Sequence, residues 1–426
     1  MYLKRVLSLG ILLMIIVGIC NQDKAVSLDK TTKQTIQSMS QGRPVEEDST
    51  STSDESELTP MVASQTKFGL KLFQTIIEQE PSANTLISPL SVGVALSMLY
   101  NGAEGVTQKE LANLLEVMDS SIEEVNQSNK SLMETLENSD SEVVAIANSI
   151  WTQSGFPIQS SFIQTNQNFY DAKIQELDFA QPQAIDTINS WVATNTQNKI
   201  TQIIDNISPN QALFLINAVY FKGQWQNKFD PEQTTEQEFY LSNGSTIEHP
   251  MMSNFASYQY YENPTLQVIN LPYGSGNLGM NVYLPKENSN LNQFFSQLTQ
   301  ENLNSWQQQM RFKEGNFKMP RFDQEYEADL NSVLQQLGAS SMFNSSQANF
   351  AALSEESVAV DTVKHKAVIE VNEEGTEAAA TTSIGIRTTS VETPFNMIVN
   401  RPFFYTIQDR ETGAILFMGT VQNPQS

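Results

Sequence analysis

The chain has 426 residues, 39% of them hydrophobic and 17% charged, with 22 Phe and 4 Trp. That apolar content supports a sizeable core and excludes wholesale disorder; the length fits two or three ordinary domains or one large one. Acidic residues outnumber basic ones 48 to 24, a net charge of −24, which disfavours nucleic acid and anionic lipid as partners. One Cys and two His exclude a disulfide framework and a cysteine-rich metal site, and they leave little for a histidine relay. No cofactor is expected.

The first twenty residues read as an export signal. Lys4 and Arg5 precede an apolar run over residues 6–19, too short to span a bilayer comfortably. Cys20 has two readings. Val17-Gly18-Ile19-Cys20 is similar to a bacterial lipoprotein signal, which would make Cys20 an acylated N-terminus and the chain's sole link to a membrane, although Ile19 stands where Gly, Ala or Ser is usual. The other reading is ordinary signal cleavage after Cys20. Both put the mature protein outside the cytoplasm. Residues 21–62 are polar, with an acidic, serine-rich stretch at residues 46–57 that cannot bury a core; they read as a disordered tether. As a flexible coil such a segment spans about 35 Å.

Ordered protein is expected from residue 63. Phe68, Leu70, Leu72, Phe73, Ile76 and Ile77 have helical spacing within residues 66–80. Two further helices are predicted at residues 91–100, behind Pro89, and at residues 107–118, behind Gly105. Strand-like runs follow at residues 143–151, 212–221, 266–271 and 280–284, with helical segments between them at residues 185–196 and 330–337. The last hundred residues are strand-rich, with runs at 367–371, 403–408 and 414–421. No βαβ alternation with Gly-rich turns occurs, so the class is α+β, and no linker divides residues 63–426. One large domain is predicted.

The usual catalytic signatures are missing: no Gly-x-Ser-x-Gly elbow, no His-Glu-x-x-His, no phosphate loop. His249 and His365 read better as buried structural histidines than as bases. The chain does not read as an enzyme.

One segment is unusual. Residues 376–390 are rich in small residues and nearly free of charge. Read as a strand, one face holds Thr376, Ala378, Ala380, Thr382, Ile384, Ile386 and Thr388. Both charges, Glu377 and Arg387, fall on the other face. A strand about to enter a sheet needs that sorting, because an unpaired buried charge costs several kcal/mol. Gly375 at its head supplies a pivot.

The chain resembles a serpin over nearly all of residues 63–426. The resemblance rests on Asn84-Thr85-Leu86-Ile87-Ser88-Pro89-Leu90-Ser91-Val92, on Asn217-Ala218-Val219-Tyr220-Phe221-Lys222-Gly223-Gln224-Trp225, and on Met319-Pro320-Arg321-Phe322. It continues through Val363-Lys364-His365-Lys366-Ala367 to Glu373-Glu374-Gly375-Thr376-Glu377-Ala378-Ala379-Ala380, and closes with Asn400-Arg401-Pro402-Phe403 and Phe417-Met418-Gly419-Thr420-Val421. It implies three β-sheets, about nine helices and an exposed reactive loop, here at about residues 373–397. It also implies a suicide-substrate inhibitor of serine endopeptidases: the protease cleaves the loop, is held as an acyl-enzyme, and is carried away as the loop inserts into the central sheet. A non-inhibitory carrier or chaperone on the same fold is the alternative, disfavoured by Ala378, Ala379 and Ala380 in the hinge.

Carried over by position, Ser88, Ser91, Asn217 and His365 match a polar cluster that holds the central strands together. Trp225, Arg321 and Glu373 match the point where the loop first enters, with an Arg321–Glu373 ion pair expected. The hinge is residues 373–380. The family's count of seventeen residues from the first hinge Glu runs from Glu373 to Thr389, which puts cleavage before Ser390 and suits an elastase-like or subtilisin-like protease. A trypsin-like protease has Arg387–Thr388 as its alternative bond, leaving the strand about 7 Å shorter. A monomer is expected.

Overall fold

The computed structural model describes residues 51–137, 142–376 and 393–425. The expected export signal, Cys20, residues 21–50, hinge residues Glu377, Ala378, Ala379 and Ala380, and both candidate bonds (Arg387–Thr388 and Thr389–Ser390) lie outside them. The compact unit runs from Asp54 to Ser426.

Helix α1 (Ser51–Gln79) begins well before the position at which the tether was expected to end. Met61 and Val62, assigned to that tether, are buried, so the expected boundary at residue 62 is too late. The acidic run cannot make a core, but it does not prevent a helix whose later turns dock on one. Next come β1 (Thr85–Ile87), α2 (Pro89–Tyr100) and α3 (Gly105–Leu114). Every residue of α2 is buried; Pro89 opens it, and the Ser88 side chain caps it by accepting from the Ser91 N–H. Helix α4 (Ile122–Glu137) was not expected, although Ser121 and Glu124 form a reciprocal capping box at its start.

The chain then alternates: β2 (Glu142–Gln153), α5 (Ser160–Tyr170), β3 (Lys173–Leu177), α6 (Gln183–Asn195) and β4 (Leu213–Gln224). Strands β5 (Thr235–Tyr240), β6 (Thr246–Glu262), β7 (Leu266–Pro272) and β8 (Leu278–Pro285) follow, then α7 (Leu291–Phe295) and α8 (Gln300–Gln309). The last part holds β9 (Arg311–Pro320), β10 (Phe322–Asp329), α9 (Asn331–Gln336), β11 (Thr362–Val371), β12 (Gly375–Thr376), β13 (Phe395–Ile398), β14 (Phe403–Asp409) and β15 (Ile415–Val421). Nine α-helices are present among the described residues.

The strands form two hydrogen-bonded networks. The six-stranded one has the order β10-β11-β4-β2-β3, with β12 also paired to β4. Both of its faces are covered. One lies on the main core, which includes α2; the other carries a second cluster of Trp151, Phe179, Ile216 and residues of α6. Strand β4 is correspondingly apolar almost without interruption, as a central strand buried on both sides must be. The nine-stranded network joins two sheets through β6, whose last four residues alone pair with β7 while its middle pairs with β9. The three expected sheets are therefore linked into two ladders.

Candidate functional site

The site is a gap in the six-stranded sheet. Strands β4 and β11 run parallel and pair only from Thr362↔Phe214 to Val368↔Tyr220. Beyond that, β11 continues on β10 to Val371 and β4 continues on β2 to Gly223, but the two no longer pair with each other. Into the top of this wedge the chain folds back. Asn372 and Gly375 close a tight turn, and Gly375 and Thr376 then pair antiparallel with Gln224 and Gly223.

That turn admits no side chain at position 375. Gly375 has φ of +140°, and a Cβ there would stand 2.2 Å from the Gly223 carbonyl oxygen. Thr376 is wholly buried, with its hydroxyl 3.2 Å from that of Tyr273. It therefore occupies the inward face to which the alternation of residues 376–388 assigned it.

Trp225 carries the turn. Its indole N–H donates to the Asn372 carbonyl at 2.9 Å, its backbone N–H donates to the Glu374 carbonyl, and its ring stacks on Tyr273 at 4.4 Å. Arg321 and Glu373 meet as expected, with Nε and Nη2 at 2.7 and 2.6 Å from Oε1. The Thr234 hydroxyl donates to the same oxygen at 2.5 Å. Burial alone would push the Glu373 carboxyl up; the Arg321 and Thr234 hydrogen bonds more than offset this and hold it below the ordinary carboxylate range. His249 closes the back of this corner. Its Nε2–H donates to the Arg321 carbonyl at 2.6 Å, which fixes the tautomer because a carbonyl only accepts. A cleft of about 520 Å³ lies here, lined by His249, Arg321, Asn372, Glu373 and Glu374.

Midway down the sheet lies a second polar group. Register places His365, Asn217 and Asn148 side by side on β11, β4 and β2. His365 Nδ1 donates to Asn217 Oδ1 at 2.5 Å, and its Nε2 accepts from the Ser88 N–H at 3.2 Å. The Asn217 amide donates to Asn148 Oδ1 at 2.6 Å and to the Ser91 hydroxyl. This is where the parallel ladder binds the two strands that border the gap. Asn148, Thr234 and Tyr273 were not anticipated. Asn148 had a readable signal, a polar residue in the apolar run of β2; Tyr273 and Thr234 reach the site only through tertiary packing.

Burial depresses the His365 pKa to about 3, so the ring is neutral in the native state. The unfolded chain, with an ordinary histidine value, binds a proton that the native state refuses. Stability should thus fall as pH drops below about 6.5, by up to about 1.4 kcal/mol per pH unit until about 3. Urea unfolding at pH 7.5 and pH 5 should differ by about 2 kcal/mol from this source. His365→Gln, which cannot titrate, should flatten that dependence; an unchanged slope would place the titration elsewhere.

Among the described residues no group of three or more His, Cys, Asp or Glu could hold a metal ion.

The site is thus a wedge-shaped gap between β4 and β11, with Gly375 and Thr376 paired at its mouth. The chain belongs to the serpin family: the family model described as serpin (serine protease inhibitor) matches residues 63–424. It is 33% identical to glia-derived nexin of Rattus norvegicus, over 84% of this chain and 91% of that protein. It is likewise 33% identical to the leukocyte elastase inhibitor of Homo sapiens, over 85% of this chain and 99% of that one. Among solved structures, human thyroxine-binding globulin in complex with thyroxine matches with a TM-score of 0.80 at 27% identity, over 86% of this chain and 99% of that one. The fold is accordingly a serpin fold of the α+β class.

Proposed function

We propose that the protein is an exported suicide-substrate inhibitor of serine endopeptidases. It is not an enzyme; it traps its target as an acyl-enzyme and inserts the cleaved loop between β4 and β11. The pairing of Gly375 and Thr376 with Gln224 and Gly223 carries this reading, because it is the first step of such an insertion. Extended one for one, that register runs Gly375–Ile386 against the whole of β4, ending at Leu213. A chain cut between Thr389 and Ser390 fills the ladder with three residues to spare. One cut after Arg387 also fills it, but carries the protease about 7 Å less far. An elastase-like or subtilisin-like enzyme is the favoured target, and a trypsin-like one would be released more often as a mere consumer of the loop.

The likeness to thyroxine-binding globulin favours a carrier as the second reading. Thr376 weighs against it, since a small hydroxyl residue at the leading buried position permits insertion. The full chain is incubated with elastase, subtilisin and trypsin, then followed by denaturing gel and intact mass. Expected is a denaturant-stable complex with a released peptide starting at Ser390. Clean cleavage without a complex for all three would overturn the inhibitor reading in favour of the carrier.

A further inference from the structure

Just before β14, Arg401 lines a cleft of about 550 Å³ in which no residue of the hinge or the gap takes part. Its walls come from Pro285 at the end of β8, the turn between β5 and β6, the segment entering α7, and the turn that follows α1. Acidic residues outnumber basic ones 48 to 24 in the chain, yet Arg401 is charged and no other lining residue is. The guanidinium is fixed in place but not satisfied. Nε donates to the Pro285 carbonyl at 2.8 Å and Nη1 to Asn400 Oδ1 at 3.0 Å. Those bonds use two of the five N–H groups, and among the described residues Nη2 has no hydrogen-bond partner. Burial pushes the Arg401 pKa down; the exposed Glu287 opposes this through space, without a hydrogen bond to it.

Two asparagines add donors to the same lining. Asn243 Oδ1 accepts from the Ser245 N–H at 2.9 Å and from its hydroxyl at 2.7 Å, which builds the turn between β5 and β6. Asn290 Oδ1 accepts from the Gln293 N–H at 2.9 Å and caps α7. With each oxygen committed to a backbone donor, the orientation of both amides is set and each Nδ2 is left to donate. The polar side of the cleft is therefore rich in fixed N–H donors and has no carboxylate, while Pro81, Pro285 and Pro402 supply stiff apolar wall. Donors held by other bonds are preorganised for an anion that carries several acceptor oxygens. We propose that this cleft binds a small hydroxylated carboxylate of the sugar-acid class, with its carboxylate on Arg401 Nη2, its hydroxyls on Asn243 and Asn290, and the C–H face of its ring on the prolines. The volume suits a ligand of that size. A sulfated polymer does not fit, since one guanidinium cannot offset its charge in a chain of net charge −24. The site does not depend on whether the chain traps a protease.

Calorimetric titration of the full chain tests this with glucuronate as the probe. Glucose, which lacks the carboxylate, and propionate, which lacks the hydroxyls, are the controls. Expected is one site with a Kd of about 1 mM or below for glucuronate, and binding of either control weaker by at least about tenfold. Asn243→Asp/Asn290→Asp keeps both Oδ1 acceptors, and with them the turn and the cap, while replacing two donors by negative oxygens. It should weaken glucuronate by at least about tenfold and leave the melting temperature unchanged. Arg401→Gln should abolish binding, but it also cuts the bond to Pro285, so the aspartate variant is the one that separates binding from folding. An oligomer of galacturonate distinguishes the source of the acid: binding of glucuronate alone assigns a free sugar acid, binding of both assigns the end of an acidic chain, and either upholds the site. No saturable binding of glucuronate in the millimolar range would overturn the proposal. Equal affinity of the aspartate variant, or equal affinity for glucose, would overturn it too.

Discussion

Thr376→Arg should convert the protein from a trap into a substrate: the complex should fall to under about a tenth of the product, with cleaved chain and free protease in its place. Thr376 is wholly buried beside Tyr273, in the ladder position opposite Gly223. Burying an unpaired guanidinium in place of the Thr376 side chain costs several kcal/mol. In the proposed mechanism insertion must outrun hydrolysis of the acyl-enzyme, and each 1.4 kcal/mol added to its barrier slows it about tenfold. A penalty of about 3 kcal/mol therefore reverses the partition, while leaving the bond that the protease attacks untouched. Denaturing gels at a fixed ratio of inhibitor to protease read the outcome, with Thr376→Ser as the variant that should still trap. An Arg variant that traps as well as wild type would mean that Thr376 does not lead the loop into the gap.

Cleavage of the loop without trapping should raise the melting temperature by at least about 10 °C. A metalloprotease, which forms no acyl-enzyme, is the tool. The intact sheet joins β4 to β11 by a ladder that stops at Tyr220 and Val368, leaving Phe221–Gln224 and Ile369–Val371 without pairing to each other. In the proposed insertion a twelve-residue strand between them would replace that partial ladder with two complete ones and would bury Ile384 and Ile386. After the backbone entropy is subtracted, the gain is on the order of 5–10 kcal/mol. Differential scanning calorimetry before and after cleavage measures it. The cleaved Thr376→Arg variant should gain far less, which ties the two results to one strand. No change in the wild type would mean that the severed loop stays outside.

Much of the fold was legible because the periodicities are strong. The largely apolar runs of β4 and β15 are strands buried on both sides, and Pro89 and Ser88 mark the start of α2. What escaped were elements whose burial is one-sided or whose apolar residues are sparse. Helix α4 buries Val125, Leu132 and Leu136 among mostly polar residues, and β9 alternates charged residues with few apolar ones. The core end of the tether was misplaced because local polarity says nothing about where a helix docks. At the site, Thr376, His365, Asn217 and the Arg321–Glu373 pair were readable from alternation and from family motifs. Tyr273 and Thr234 were not, since they lie about 100 and 140 residues from the loop residues they touch.

The row of His365, Asn217 and Asn148 has a consequence for how the strands part. Separating β11 from β4 breaks the His365–Asn217 bond and would strand two polar side chains where water does not reach, at a cost of about 1–3 kcal/mol for each. In the proposed insertion, the register that begins at Gly375 and Thr376 would, extended one for one, bring Thr382 opposite Asn217, on the same side of the sheet as Thr376. Its hydroxyl both donates and accepts, so it can stand between the imidazole and the amide as they separate. In that proposed insertion the strand that forces the two apart would then become their new partner: a handover rather than a rupture, with the cost borne only while Thr382 is still on its way.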